Sequence, residues 1–368
     1  MRADITITTA SMESITPMEK KIKMTRMKKR AVIVIGMILT AVLAVWFVRT
    51  TVSLYGSRKE AERAVSARRE TEELWLAENK KDGTVEYGEK KYRRNTAVRA
   101  ILCIGVDTAG KMEQSQVIGS AGQADGIFLV AQDMARDTVK ILMIPRDTMT
   151  DINLYDLSGN SLGKDKQHLT LAFAYGDGRE KSCELVKEAV SELLGGLKID
   201  GYMAVNTSMI PILNDEIGGV EVTIEESGME ARDPEMTKGK TITLNGSQAE
   251  LFVRYRDINQ PQTAIGRMSR QMVYIEAFIS KSKETAARDQ NLITRMMNDI
   301  QDHMITNMAK DQYMDMGLAV LNSRQSVGNS DFIMLPGEGV ETELFDEYHP
   351  DIEASKQIVL DLFYKEIR

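Results

Sequence analysis

At 368 residues the chain is long enough for one large domain with attachments, or for two small domains. Its hydrophobic content of 43% is that of an ordinary globular core and excludes general disorder. The net charge of −7 argues against a nucleic-acid partner, because a phosphate backbone rewards a basic surface.

Residues 1–30 read as a cytoplasmic tail, polar and then basic, in which Lys20, Lys21, Lys23, Arg26, Lys28, Lys29 and Arg30 are opposed only by Glu19. Residues 31–48 (AVIVIGMILTAVLAVWFV) carry no charge and approach the ~20 apolar residues that cross a bilayer as a helix. Beyond them Arg49, Arg58 and Lys59 are soon balanced by Glu60 and Glu62, so the short flanks put the N-terminus in the cytoplasm. The basic block suits anionic headgroups. A cleaved signal peptide is the competing reading, but its apolar core is shorter, and Val48-Arg49-Thr50-Thr51-Val52 lacks a small-x-small site. Either way a single-pass topology or export places the remainder outside the cell membrane. Residues 49–95 form a stalk or a flexible linker, first with the Glu, Arg, Lys and Ala of a solvated helix and then broken at Lys81-Asp82-Gly83.

Residues 96–285 are expected to form the main domain. AILCIGVD (100–107), GIFLVAQDM (126–134) and TVKILMIPRD (138–147) read as apolar strands, the last two joined by a hairpin at Ala135-Arg136-Asp137. LTLAFAYGDG (169–178) starts apolar and breaks at its glycines. Lys181 to Leu194 repeats apolar residues at helical spacing until Gly195-Gly196 stops it. GYMAVNTS (201–208) and GVEVTI (219–224) are strands around a short helix from Ser208 to Asp215. Asn245 and Ser247 suit a helix start, and a second helix from Gly266 to about Ser282 carries Met268, Met272, Ile275 and Ile279 on one face. Residues 286–368 read as a mainly helical extension packing on or continuing the domain, with one strand candidate at 331–336. Interleaved strands and helices give the class α/β, a mixed sheet flanked by helices.

Cys103 and Cys183 do not make a disulfide framework. Cys103 reads as a small buried hydrophobe, although one bridge is open to the pair. His168, His303 and His349 are too far apart in sequence for a zinc spacing.

Three arginine-bearing segments point to a phosphate site. Ile144-Pro145-Arg146-Asp147 presents Arg146 where proline ends a strand, although a surface ion pair would explain the tetrapeptide equally. In Val253-Arg254-Tyr255-Arg256-Asp257, Arg254 and Arg256 share a face if the backbone is extended and diverge if it is the last helical turn. Arg267, Arg270, Gln271 and Tyr274 fall at i, i+3, i+4 and i+7, one polar stripe opposite the apolar face, which a solvated helix also displays. The planar guanidinium fork can grip two phosphate oxygens at once. Asp107 and Asp125, at strand ends, are turn or cap residues when alone; beside a diphosphate they make a hard-oxygen seat for Mg²⁺ or Mn²⁺.

The segments ILCIGVD, ADGIFLV, KILMIPRDTMTDI, HLTLAFAYGDG, IDGYMAVNTSMIPILNDEIGGVEVTI, LNGSQAELFVRYRD and GRMSRQ resemble, in order, those of the LytR–CpsA–Psr proteins of bacterial cell envelopes. The likeness spans residues 98 to 280. It implies an αβα sandwich with a hydrophobic pocket for a polyprenyl chain. It further implies a phosphotransferase that moves a glycopolymer from a polyprenyl-diphosphate carrier to peptidoglycan at the outer membrane face. On this resemblance Arg146, Arg254, Arg256, Arg267, Arg270 and Gln271 bind the diphosphate, Asp107 and Asp125 hold the metal, and Asp147 is a further candidate in catalysis. Ala264 stands where many members carry an acid, which marks a divergent branch. Two other functions fit the same motifs: a pyrophosphatase using water as acceptor, and a non-catalytic lipid-binding or scaffolding protein. A transcriptional regulator fits poorly, since no helix-turn-helix is evident.

Overall fold

Leu76 and residues 84–256, 263–322, 329–342 and 345–367 are described by the computed structural model. The expected membrane helix at 31–48, the tail before it, most of the stalk and the side chain of Ala264 lie outside the described residues. Among the described residues no helix is long and apolar enough to cross a membrane.

An antiparallel pair, β1 (Thr84–Tyr87) and β2 (Lys90–Arg94), comes first. The three expected strands follow as β3 (Val98–Val106), β4 (Ala124–Asp133) and β5 (Thr138–Ile144), apolar along most of their length because helices cover both faces of the sheet. Asp137 closes the β4–β5 hairpin at φ +56°, a left-handed conformation that aspartate tolerates. A second hairpin, β6 (Met149–Tyr155) with β7 (Ser161–His168), has no counterpart in the sequence reading, because β7 is largely polar and exposed. Next come α1 (Leu171–Ala174) and α2 (Glu180–Leu193), the latter ended by Gly195 and Gly196, both at positive φ.

The chain continues through β8 (Gly201–Asn206), α3 (Met209–Glu216), β9 (Val220–Thr223) and β10 (Thr241–Leu244) to α4 (Gly246–Arg254). A capping box starts α4: Gln248 N donates to Asn245 Oδ1 at 3.0 Å and Asn245 N to Gln248 Oε1 at 3.1 Å. Then follow α5 (Thr263–Ala286), α6 (Leu292–Asp299), β11 (Met304–Thr306) and α7 (Lys310–Asn322). Last come β12 (Phe332–Met334), β13 (Gly337–Glu341), β14 (Asp346–Pro350), α8 (Ile352–Phe363) and β15 (Tyr364–Ile367).

The central sheet runs β11-β8-β3-β4-β5-β12. β8 is parallel to β3 and β12 to β5, while the other neighbours are antiparallel, so the sheet is mixed. On one face Leu102, Ile104, Leu129 and Leu142 pack against Phe173, Val186, Val190, Leu360 and Phe363 from α1, α2 and α8. On the other, Ile101, Val130, Ile141 and Met143 meet Met268 and Ile279 of α5. Burying such a side chain contributes about 1.5–3 kcal/mol. A further cluster joins Ile210, Val220, Phe252 and Met296 with Tyr274 of α5, so α5 is buried on two sides, and α3, α5 and the sheet border a common cleft.

The tail beyond residue 286 is less helical than the sequence suggests. It supplies both edge strands of the central sheet, the β13–β14 hairpin and β15, which pairs with β2. β11 and β12 have three residues each, too short to show an alternation, and they form only because β8 and β5 offer ready partners.

Candidate active site

The first candidate carboxylate is aimed by an irregularity of the sheet. β3 and β4 pair regularly as far as Gly105 with Gly126, but Val106 then faces Ala124, which leaves Asp125 as the extra residue of a β-bulge. A bulge bends the strand and redirects the unpaired side chain. Asp125 is thereby brought to two guanidinium groups. Arg146 Nη1 donates to Asp125 Oδ1, and Arg267 Nη1 donates to Oδ2 at 2.8 Å. Arg146 comes from the turn after β5 and Arg267 from α5, residues separated by more than a hundred positions.

Burial alone would lower the pKa of Arg146, but the carboxylates of Asp125 and Asp147 outweigh it and hold the group above the ordinary arginine value. Burial lowers the pKa of Arg267; Asp125 opposes this and the neighbouring Arg146 adds to it. Both side chains stay charged, since arginine does not deprotonate in proteins. Asp147 is 7% exposed; its Oδ1 accepts from Arg146 Nε at 3.1 Å, while its buried Oδ2 has no hydrogen-bond partner.

Asp125 and Arg267 of this cluster also line a cavity of about 250 Å³. Its walls are mostly apolar, from Cys103, Phe128, Met209, Leu213, Ile275 and Phe278; Asp125, Arg254, Arg267 and Gln271 are among the polar residues that line it, whereas Asp107, Arg146 and Asp147 do not. A Cβ on Gly126 would come within 3.0 Å of the Phe128 ring, so glycine there keeps the floor open. Arg267 Nε and Gln271 Oε1 are buried without partners. An unsatisfied buried polar atom costs about 1–3 kcal/mol, a cost that a ligand in the cavity would remove by offering an acceptor to Arg267 Nε and a donor to Gln271 Oε1.

Not all of the sequence-predicted residues meet here. The stripe Arg267, Arg270, Gln271 and Tyr274 is buried rather than solvated, with no member above 8% exposed, and it divides. Arg267, Gln271 and Tyr274 line the cavity. Arg270 turns to Glu226 through Nη1 and donates to the carbonyls of Phe252 and Tyr255, so it closes the C-terminal end of α4 and is absent from the cavity lining. The segment Arg254 to Arg256 is the end of a helix, not a strand, so the two arginines diverge. Arg254 lines the cavity and pairs with Glu250 at 2.6 Å. Arg256 instead faces Asp346 at 3.7 Å.

Asp107 and Asp125 fit a small hard cation only in part. Asp107 is exposed and accepts from Gln123 N through Oδ1, whereas both oxygens of Asp125 are held by arginines. Among the described residues no three His, Cys, Asp or Glu side chains stand together as a ready metal cage. Mg²⁺ tolerates such a sparse protein shell when phosphate oxygens and waters complete it.

Comparison with known proteins decides the family. The LytR_cpsA_psr family profile matches residues 51–360. The chain belongs to the LytR_cpsA_psr family. Among similar LytR_cpsA_psr relatives, the polyisoprenyl-teichoic acid–peptidoglycan teichoic acid transferase TagU of Bacillus mycoides is 28% identical over 261 residues, covering 70% of this chain and 75% of TagU. The crystal structure of protein gbs0355 from Streptococcus agalactiae aligns with TM-score 0.57 and 22% identity over 72% of this chain and 88% of that one. TagT of Bacillus subtilis aligns with TM-score 0.51 and 21% identity over 75% and 92%. At these identities the solved structures show the LytR_cpsA_psr fold, an α/β mixed sheet between helices.

Several site features of this LytR_cpsA_psr chain escaped the sequence reading. Glu226, the anchor of Arg270, sits in an acidic loop with no distinguishing spacing. Cys103, read as a simple core residue, is a free thiol in the cavity wall, and Cys183 is free and buried behind the opposite face of the sheet. Burial pushes both thiols up to about 12. The β13–β14 hairpin reaches the site as well: Tyr348 N donates to Asp147 O at 2.9 Å.

Proposed function

We propose that this chain is a phosphotransferase that moves a glycopolymer from a polyprenyl-diphosphate carrier to peptidoglycan at the outer face of the membrane. The observation that carries the reading is the convergence of Arg146 and Arg267 on Asp125, with Asp125 and Arg267 also lining a mostly apolar cavity. A ligand that satisfies both parts joins an apolar chain to a compact anion, as a polyprenyl diphosphate does. The TagU relative, named for transfer of teichoic acid to peptidoglycan, supports a glycopolymer donor and that acceptor. The uncharged run 31–48 supports a position at the membrane, where a carrier lipid resides.

The chemistry is one of position and charge. Arg146 and Arg267 exchange Asp125 for phosphate oxygens, with Arg254 in the cavity lining and the free Nε of Arg267 as a further donor. Arg146, Arg254 and Arg267 are matched in charge by Asp107, Asp125 and Asp147, so the side chains alone bring no surplus positive charge to a diphosphate. Asp107 and Asp125 would hold Mg²⁺ or Mn²⁺, which supplies that missing positive charge. An acceptor hydroxyl attacks the phosphorus nearest the glycopolymer, its bond to the bridging oxygen breaks, and polyprenyl phosphate leaves. Asp147, whose Oδ2 is uncommitted, is the carboxylate left to take the hydroxyl proton. Arg256 and Arg270 then act by placement, the first through the neighbouring hairpin and the second by fixing the end of α4.

The test is a reconstituted assay with a lipid-linked donor and a peptidoglycan acceptor, comparing wild type with Arg146→Ala. Wild type should form glycan-linked product, and the variant should lose about 10²–10⁴-fold, from two charge-assisted contacts of about 1.5–3 kcal/mol each. Free polymer in place of linked product would make the protein a pyrophosphatase, and bound lipid without turnover would make it a scaffold. Full activity in Arg146→Ala would falsify the assignment.

A further inference from the structure

The sheet carries a notch beneath α5. Gly105 and Gly126 face each other in the β3–β4 register, so two side chains are missing from the surface that α5 covers, and both glycines line the cavity. Side chains on that surface recur at every second residue. One pair further along, Cys103 and Phe128 still line the cavity. The next pair, Ile101 and Val130, belongs with Ile279 of α5 to a buried hydrophobic cluster. Along β3 the cavity therefore extends from Val106 to Cys103, about 10 Å. Along α5 its lining passes from Arg267 and Gln271 through Tyr274 and Ile275 to Phe278, and no α5 residue beyond Phe278 takes part. The Phe278 ring stacks on Tyr274 with centroids 6.0 Å apart, and the Tyr274 hydroxyl donates to Asn214 Oδ1 at 3.2 Å.

Volume sets what such a space can hold. A dry apolar cavity of about 150 Å³ takes one benzene molecule, six carbons. On that scale the cavity of about 250 Å³ takes about ten carbons, or two isoprene units. A carrier lipid that reaches through one leaflet must cover about 15 Å of hydrocarbon, more than the notch provides. The chain anchored at Arg267 would therefore fill the space over the paired glycines and meet Phe278 within its second unit.

We propose that Phe278 limits the lipid held inside the protein to about two isoprene units counted from the diphosphate, with the remainder of the carrier outside the cavity. The inference rests on the prenyl-diphosphate reading of the site. It makes the units next to the phosphate, and not the full length of the lipid, the part of the carrier that the protein selects.

The test titrates the full chain in nanodiscs, in the presence of Mg²⁺, with dimethylallyl, geranyl and farnesyl diphosphates and with the matching alcohols. Each titration is corrected for partition into empty nanodiscs. In wild type, affinity should rise at least about tenfold from the five-carbon to the ten-carbon diphosphate, and less than about threefold from ten to fifteen carbons. Phe278→Ala should turn that second step into a gain of at least about tenfold. A wild-type gain above about threefold at the second step, or a second step unchanged in Phe278→Ala, overturns the proposal. Alcohols that bind as tightly as the diphosphates and level off at the same length would leave the limit standing and remove the diphosphate reading. Binding of none of the probes would remove both.

Discussion

Replacing Arg267 with methionine should cost far more in function than in stability. The side chain is 6% exposed and touches Asp125 twice, from Nη1 to Oδ2 at 2.8 Å and from Nη2 to the backbone carbonyl at 3.3 Å. Breaking a buried ion pair costs about 3–5 kcal/mol when the partner is left uncompensated. Asp125, however, keeps Arg146 and is a quarter exposed, so its charge remains balanced. The change also relieves the burial penalty on Arg267 and its repulsion from Arg146, the same effects that lower its pKa. Methionine fills most of the stem volume. The net loss should therefore be about 1–2 kcal/mol, or about 2–8 °C in Tm for a domain of this size. A bound diphosphate loses two charge-assisted contacts, about 3–6 kcal/mol together, which lowers transfer about 10²–10⁴-fold. Thermal unfolding followed by circular dichroism, together with single-turnover transfer from a lipid-linked donor, reads both quantities. A Tm drop beyond about 15 °C would show that Arg267 is chiefly structural, and transfer within tenfold of wild type would show that it does not hold the diphosphate.

Other consequences are more local. Asn245→Ala removes one half of the capping box of α4 and should destabilise by about 0.5–2 kcal/mol in chemical denaturation, with the slope of the transition unchanged. Gly228 has φ +107°, and a Cβ there would collide with the Tyr255 hydroxyl. Gly228→Ala should therefore cost at least about 2 kcal/mol, from left-handed strain plus displacement of Tyr255, whose carbonyl Arg270 holds; a near-neutral result would contradict that packing. For Cys103 and Cys183, burial raises the thiol pKa to about 12, so only about one molecule in 10⁴ carries a thiolate at pH 8. Alkylation by iodoacetamide, followed by mass spectrometry, should be negligible at pH 8 in the folded protein, rise tenfold per pH unit while the fold persists, and be complete on unfolding. Rapid labelling of Cys103 in the native protein at pH 8 would place its thiol outside the apolar wall.

The sequence by itself determined the elements whose information is local. The runs at 100–107, 126–134 and 138–147 read as strands because they are apolar without a helical period, and β3, β4 and β5 follow them within a few residues. Gly195-Gly196 stopped α2 and Asn245 began α4, where backbone freedom and a short polar side chain act on their immediate neighbours. The ordered motifs also suffice for the family, and Arg146, Arg267, Gln271 and Asp125 are legible from IPRD, ADGIFLV and GRMSRQ without any contact between them.

Tertiary structure decided how those candidates divide. Arg267 and Arg270 are three residues apart on one helix, yet one faces the cavity and the other closes α4, because α5 is buried on two sides and the stripe straddles the boundary. Arg254 and Arg256 part company because α4 persists through Arg254, a boundary set by packing against α5 and not by local propensity alone. The three-residue edge strands, and the hairpin that Tyr348 fastens to the backbone of Asp147, carry too few residues to announce themselves. Their conformation comes from partners far away in the chain, β8, β5 and the turn at Asp147, and such pairings are settled by the folded sheet, since no local window of sequence contains both halves.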